Sequence, residues 1–195
     1  MLRRDLLRAG LMGVALSVSA IGASAQTADG PGPNLVLEVA GAHPGRIVID
    51  LFPDVAPQHV KRIEQLVTDH AYDGVVFHRV IDGFMAQTGD VQFGKREGDT
   101  SMAGMGGSSY PDLKAEFSDK PFERGTVGMA RSSNPNSANS QFFIMFAPAP
   151  HLNGQYTVFG QVIEGMDIVD AIKKGDAARN GLVTEPDYIA SATIE

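Results

Sequence analysis

Phe77-His78-Arg79-Val80-Ile81-Asp82-Gly83-Phe84-Met85-Ala86-Gln87-Thr88-Gly89-Asp90 is the stretch that decides the fold. Valine, isoleucine and phenylalanine favour extended backbone, so residues 75–81 read as a strand. Asp82-Gly83 is a turn pair. Beyond it the chain returns with two bulky apolar side chains, Phe84 and Met85, and an amide, Gln87. A cation, an apolar pair and an amide therefore meet around one tight turn.

A second stretch, Asn136-Ser137-Ala138-Asn139-Ser140-Gln141-Phe142-Phe143-Ile144-Met145-Phe146, reads as another strand over 141–146. Strand alternation puts Gln141, Phe143 and Met145 on one face, and Phe142, Ile144 and Phe146 on the other. Both faces are apolar. One is expected to line the core, and the other to form an apolar surface with a polar handle.

Working outward, residues 34–40 and 45–51 are short apolar runs separated by Gly41-Ala42-His43-Pro44, a β-hairpin pattern. Residues 54–69 change period: Val60, Ile63, Leu66 and Val67 recur at helical spacing, with Pro57 suited to the first turn. A second helix is expected over 166–173, with Ile168, Val169 and Ile172 inward and Gly175 as its stop. Residues 126–130, 156–163 and 188–194 read as further strands. Between strands, residues 92–122 form a long loop with glycines at 94, 98, 104, 106 and 107. Loops of that length are usually functional or mobile. The expected layout is one β-rich domain over 34–195, preceded by a loose Gly/Pro leader at 26–33.

Length and composition agree. The 195 residues are a one-domain length, and 22 Gly with 11 Pro exceed what a helical bundle tolerates. No Cys is present, which excludes disulfides, thiolate zinc sites and a cysteine nucleophile. Arg3, Arg4 and Arg8 precede an apolar run over 9–21 and then Ala23-Ser24-Ala25, the pattern of a cleavable signal peptide over 1–25. The run is short for a membrane span of about 20 residues. The address expected is the periplasm, by a twin-arginine-like or a Sec route. Loss of residues 1–25, which carry a net +2, takes the formal charge from −7 to −9. So acidic a chain lacks the cationic field that binds phosphate backbones, and anionic lipid would repel it. Neither nucleic acid nor stable membrane insertion is expected after cleavage.

Familiar catalytic patterns are missing. Gly-x-Ser-x-Gly and His-Glu-x-x-His do not occur, and His43, His59, His70, His78 and His151 are scattered. No metal and no cofactor is expected, and no proton-transfer apparatus is advertised.

The two segments quoted above resemble the cyclophilin family of peptidyl-prolyl isomerases. The shared pattern is F-H-R-V-I-x-G-F-M-x-Q-x-G-D, then G-M-A, S-Q-F-F-I and V-F-G-x-V, in order, and the resemblance spans about 34–195. It implies a mainly β fold: a closed eight-stranded antiparallel β-barrel capped by two α-helices. By position it implies that Arg79 is the catalytic arginine, with Gln87 assisting. Phe84, Met85, Phe143 and Leu152 match the apolar proline pocket. Gln141 matches a group that orients the peptide, and Ala130 and Arg131 match the strand along which the peptide lies. Tyr156 stands where many members carry His. His151 stands where drug-sensitive members carry Trp, and Arg131 where they often carry Asn. These departures weaken the case for cyclosporin binding more than for catalysis, since an indole supplies both apolar area and an N–H donor.

The expected partners are proline-containing unfolded or flexible polypeptides, handled by a monomer. The alternative class is a non-catalytic proline-peptide-binding module or holdase chaperone. A third reading is a barrel holding a small apolar ligand. Standing alone, Arg79 would read as a surface ion-pair residue, and Phe84, Met85 and Phe143 as core. His78 reads as a hydrogen-bonded interior histidine, and His151 as a pocket wall or a plain loop residue.

Overall fold

A computed structural model describes residues 28–195, so the expected export signal lies outside the described residues. β1 (Asn34–Ala40) and β2 (Gly45–Leu51) form the expected hairpin, with Leu35 opposite Ile49 and Leu37 opposite Ile47. All four side chains are fully buried.

α1 spans Pro57–Thr68, with Pro57 in its first turn, and buries Val60, Ile63, Leu66 and Val67 as the periodicity predicts. Its N-cap, Ala56, has no capping side chain. The loop carboxylate of Glu116 takes that role by accepting from Gln58 N and His59 N at 3.1–3.2 Å. It also meets His59 Nδ1 at 2.6 Å.

The hairpin that decides the fold comes next, as β3 (Arg79–Ile81) and β4 (Met85–Thr88). Gly83 sits in their three-residue connection with φ +69°, which a side chain would disfavour. Arg79 pairs with Gln87, and Ile81 with Met85. β5 (Thr126–Met129), β6 (Phe142–Met145), β7 (Val158–Glu164), α2 (Met166–Ala171) and β8 (Tyr188–Ile194) complete the order. Single 3₁₀ turns at Thr100–Met102, Pro150–Leu152 and Ala177–Arg179 punctuate the loops.

The closed barrel is corrected. The eight strands make one antiparallel sheet in the order β3-β4-β6-β5-β7-β2-β1-β8, open between β3 and β8. The strand expected over 75–81 shrinks to β3, because the residues before it pair singly with two different segments: Val75 bridges Lys95 and Val76 bridges Tyr188. Gly74 N–Ile189 O, Ile189 N–Val75 O and Phe77 N–Asp187 O, at 2.7–2.9 Å, tie this segment to the start of β8 over a few residues only, so the contact adds no ladder between β3 and β8 and the sheet is an open half-barrel. α2 is also shorter than expected. Ile172 turns extended (ψ 131°) to bury its side chain, and Lys173 N bonds the Asp187 carboxylate instead of continuing the helix.

The two faces of β6 separate as alternation predicts. Phe142 and Ile144 join the main core with Leu35, Ile49, Leu66 and Phe159, a side-chain-packed interior that speaks against the reading of a ligand-holding barrel. Phe143 and Met145 join a second cluster with Met85, Phe122, Leu152 and Val158 on the opposite face.

Candidate active site

The second cluster carries the site. Facing Phe143 across the sheet is Gly128, where a Cβ would stand 2.6 Å from Phe122 and 2.7 Å from Phe143. Glycine there lets both rings lie against the sheet. Phe122 stacks on Phe143 with centroids 5.7 Å apart, and Tyr156 meets Phe143 edge-on at 5.8 Å. Above this floor lies a cavity of about 190 Å³ lined by Arg79, Phe84, Met85, Gln87, Ala130, Arg131, Phe143, Leu152 and Tyr156. Nine of the eleven sequence-selected residues are in that lining.

The remaining two lie nearby. Gln141 precedes β6 and lines an adjoining cavity of about 350 Å³ that shares Gln87, Ala130 and Arg131 with the first. His151 lies outside both linings. It sits exposed on the 3₁₀ turn Pro150–Leu152 and stacks on Phe84 (5.9 Å, 27°), while Leu152 turns inward. It backs a wall residue and does not line the cavity.

Arg79 is half-buried and held on two sides. Its Nε donates to Asn180 O at 3.1 Å and Nη2 to Asn180 Oδ1 at 3.0 Å; Nη1 donates to Gln87 Oε1 at 3.2 Å. These bonds use three of five guanidinium N–H groups and leave one on each Nη. Nη1 also lies 4.0 Å from Met85 Sδ, a weak acceptor on the pocket wall. Burial pushes the Arg79 pKa down, opposed by Tyr156. A guanidinium starts so high that it stays charged at neutral pH.

From Arg79 a chain of bonds runs into the glycine-rich loop. Gln87 Nε2 donates to Gln141 Oε1 at 2.9 Å, and Gln141 Nε2 to Gly106 O at 2.7 Å. Asp90, wholly buried, fixes that loop by accepting from Gln92 N, Phe93 N, Gly104 N and Gly106 N at 2.7–3.0 Å. The loop therefore shapes one edge of the site, with Gly104, Met105 and Gly106 lining the larger cavity. Ala130 N donates to Gln141 O at 2.9 Å, which ties the end of β5 to the same network.

Sequence reasoning missed Asn180, Gly106 and the role of Asp90. Asn180 had a weak signal, since Asn180-Gly181 is a turn pair in which Asn accepts φ +55°. Nothing local could foretell a carbonyl acceptor at Gly106. His78 is interior as expected; neither ring nitrogen has a partner of good hydrogen-bond geometry among the described residues, while the Val76 carbonyl and the Gln141 amide lie near enough to favour its protonated form. Burial pulls its pKa down from 6.5 to about 4 against the opposing charge of Asp90. Among the described residues no cluster of His, Asp and Glu could hold a metal.

Residues 35–194 match the family model described as cyclophilin type peptidyl-prolyl cis-trans isomerase/CLD. A probable peptidyl-prolyl cis-trans isomerase of Brucella suis is 59% identical over 184 residues, covering 93% of this chain and 91% of the relative. A peptidyl-prolyl cis-trans isomerase of Acinetobacter baylyi is 40% identical over 144 residues, covering 71% and 72%. Among solved structures, a cyclophilin-type isomerase of Cryptosporidium parvum, crystallised in the presence of the dipeptide Ala-Pro, aligns with TM-score 0.70. It is 26% identical, covering 83% of this chain and 98% of its own. The cyclophilin AquaCyp293 of Hirschia baltica aligns with TM-score 0.69 at 25% identity, covering 85% and 74%.

Proposed function

The chain belongs to the cyclophilin-type peptidyl-prolyl cis-trans isomerases, and from that premise we propose that it speeds rotation about X–Pro bonds by holding the twisted amide against Arg79. The observation that carries this reading is the charged guanidinium forming one wall of an otherwise aromatic and aliphatic cavity. At about 190 Å³ that cavity is smaller than the usual 300–1,000 Å³ of small-molecule sites, which suits a single ring.

Peptide resonance sets a barrier of about 18–20 kcal/mol to rotation. Halfway round, resonance is lost and the prolyl nitrogen regains a lone pair able to accept a hydrogen bond. A catalyst needs only to bind that geometry better than either planar isomer. One of the free Arg79 N–H groups donates to this nitrogen, while Phe84, Met85, Phe143 and Leu152 grip the ring. Gln87 and Gln141 orient the peptide. A charge-assisted bond is worth about 1.5–3 kcal/mol, roughly ten- to over a hundredfold in rate. Removal of water from the amide supplies more, since solvation favours the polar resonance form. No proton moves, so no acid or base is needed.

The same reading extends to location and partners. The basic start, apolar run and Ala23-Ser24-Ala25 support export to the periplasm, where a monomer would act on unfolded or flexible chains. Mature protein is mixed with a proline peptide, and cis–trans exchange and binding are both measured. Accelerated exchange supports the proposal. Saturable binding without acceleration replaces it with a holdase.

A further inference from the structure

Resting on that reading, we infer that Arg131 selects substrates carrying an acidic side chain beside the proline. Arg131 follows β5 at the junction of the two cavities and lines both. Its guanidinium is set in place before any peptide arrives. Nη1 donates to Ser132 O at 2.8 Å, Nη2 donates to Gln155 O at 2.9 Å, and the group lies 4.2 Å over the ring of Tyr156. One N–H on each Nη remains unused.

Its charge is uncompensated. Among the described residues neither Arg131 nor Arg79 forms a salt bridge, whereas Arg46 and Arg124 do. No Asp or Glu appears in the lining of either cavity. The only formal charges on these walls are thus two arginines, in a protein whose net charge is −7. Like-signed groups on apolar walls focus a local field. An acidic peptide is repelled by the protein's net charge and attracted by these two arginines, so the selection acts at short range. Both cavities meet at Arg131 and the smaller takes the proline, which places the favoured carboxylate within a residue or two of it.

The test uses mature protein and otherwise identical proline peptides with Glu, Gln or Lys at each position up to two residues either side of the proline. At one or more positions Glu is expected to be turned over about two- to fivefold more efficiently than Lys, the range of a partly exposed ion pair. The ratio should fall toward one at 1 M salt, where the Debye length is about 3 Å. Arg131→Gln should abolish the ratio, Arg131→Lys should keep part of it, and Arg131→Glu should invert it. Equal kcat/KM for Glu and Lys at every position, with the Gln peptide still turned over, overturns the inference and leaves the isomerase reading intact. No turnover of any peptide overturns that reading instead.

Discussion

Asn180 receives Arg79 twice: its backbone carbonyl takes Nε at 3.1 Å and its side-chain oxygen takes Nη2 at 3.0 Å. The two residues are 101 positions apart, and Asn180 holds this double acceptor only because its backbone is left-handed, φ +55°. Asparagine tolerates that region far better than most side chains. The fork pins one side of the guanidinium and leaves the opposite side toward the pocket.

Asn180→Ala should therefore lower kcat more than it alters KM, by roughly fivefold for about 1 kcal/mol of lost orientation. Asn180→Asp retains an acceptor and the backbone preference, and should restore most of the rate. Steady-state kinetics of both variants check this. Unchanged kcat in Asn180→Ala would mean that Gln87 alone positions Arg79.

The rate between pH 6 and 8 should be nearly flat. Arg79 is charged throughout, and His78, with its pKa near 4, is neutral throughout. A pH–rate profile checks this. A steep change within that range would contradict a mechanism in which Arg79 acts without proton transfer.

Stability, unlike rate, should depend on pH below that window. The folded pKa of His78 is depressed to about 4 from 6.5, so between these values the unfolded chain binds more protons. Stability then rises with pH across that window, is complete above about 6.5, and is lost as pH falls. The contribution is on the order of 3 kcal/mol, at 1.36 kcal/mol per pKa unit. Urea denaturation at pH 4 and pH 7 should show the difference, and His78→Gln should reduce it. An identical slope in the variant would assign the effect elsewhere, with His59, also depressed by burial, the next group to test.

Glu116→Ala should destabilise the fold by about 1–2 kcal/mol, the cost of losing a helix cap. It leaves Gln58 N and His59 N without their acceptor and strips the buried His59 Nδ1 of its partner. Thermal or urea unfolding measures the loss. Glu116→Gln, which keeps an acceptor, should lose less.

Much of this was legible in the sequence, because alternation and helical spacing report burial directly. The opposed faces of β6 and the apolar stripe of α1 both follow from side-chain direction alone. Register across distant segments is not encoded that way. Sheet closure depended on how far the segment before β3 pairs with β8, and that contact stops at a few backbone bonds between residues 74–77 and 187–189. In the site, the residues that touch the cavity belonged to recognisable strings. Those that hold them, Asn180, Gly106 and Asp90, act through backbone groups or across long loops, where residue type says little about the partner.

Comparison of wild type with Arg79→Ala and Arg79→Lys in a proline-peptide isomerisation assay tests the central claim most directly, with proline-peptide binding followed in parallel. Arg79→Ala should keep its fold and measurable peptide binding while losing most of the acceleration, and Arg79→Lys, lacking the planar fork, should recover only a fraction. Full activity in a folded Arg79→Ala variant would contradict the account.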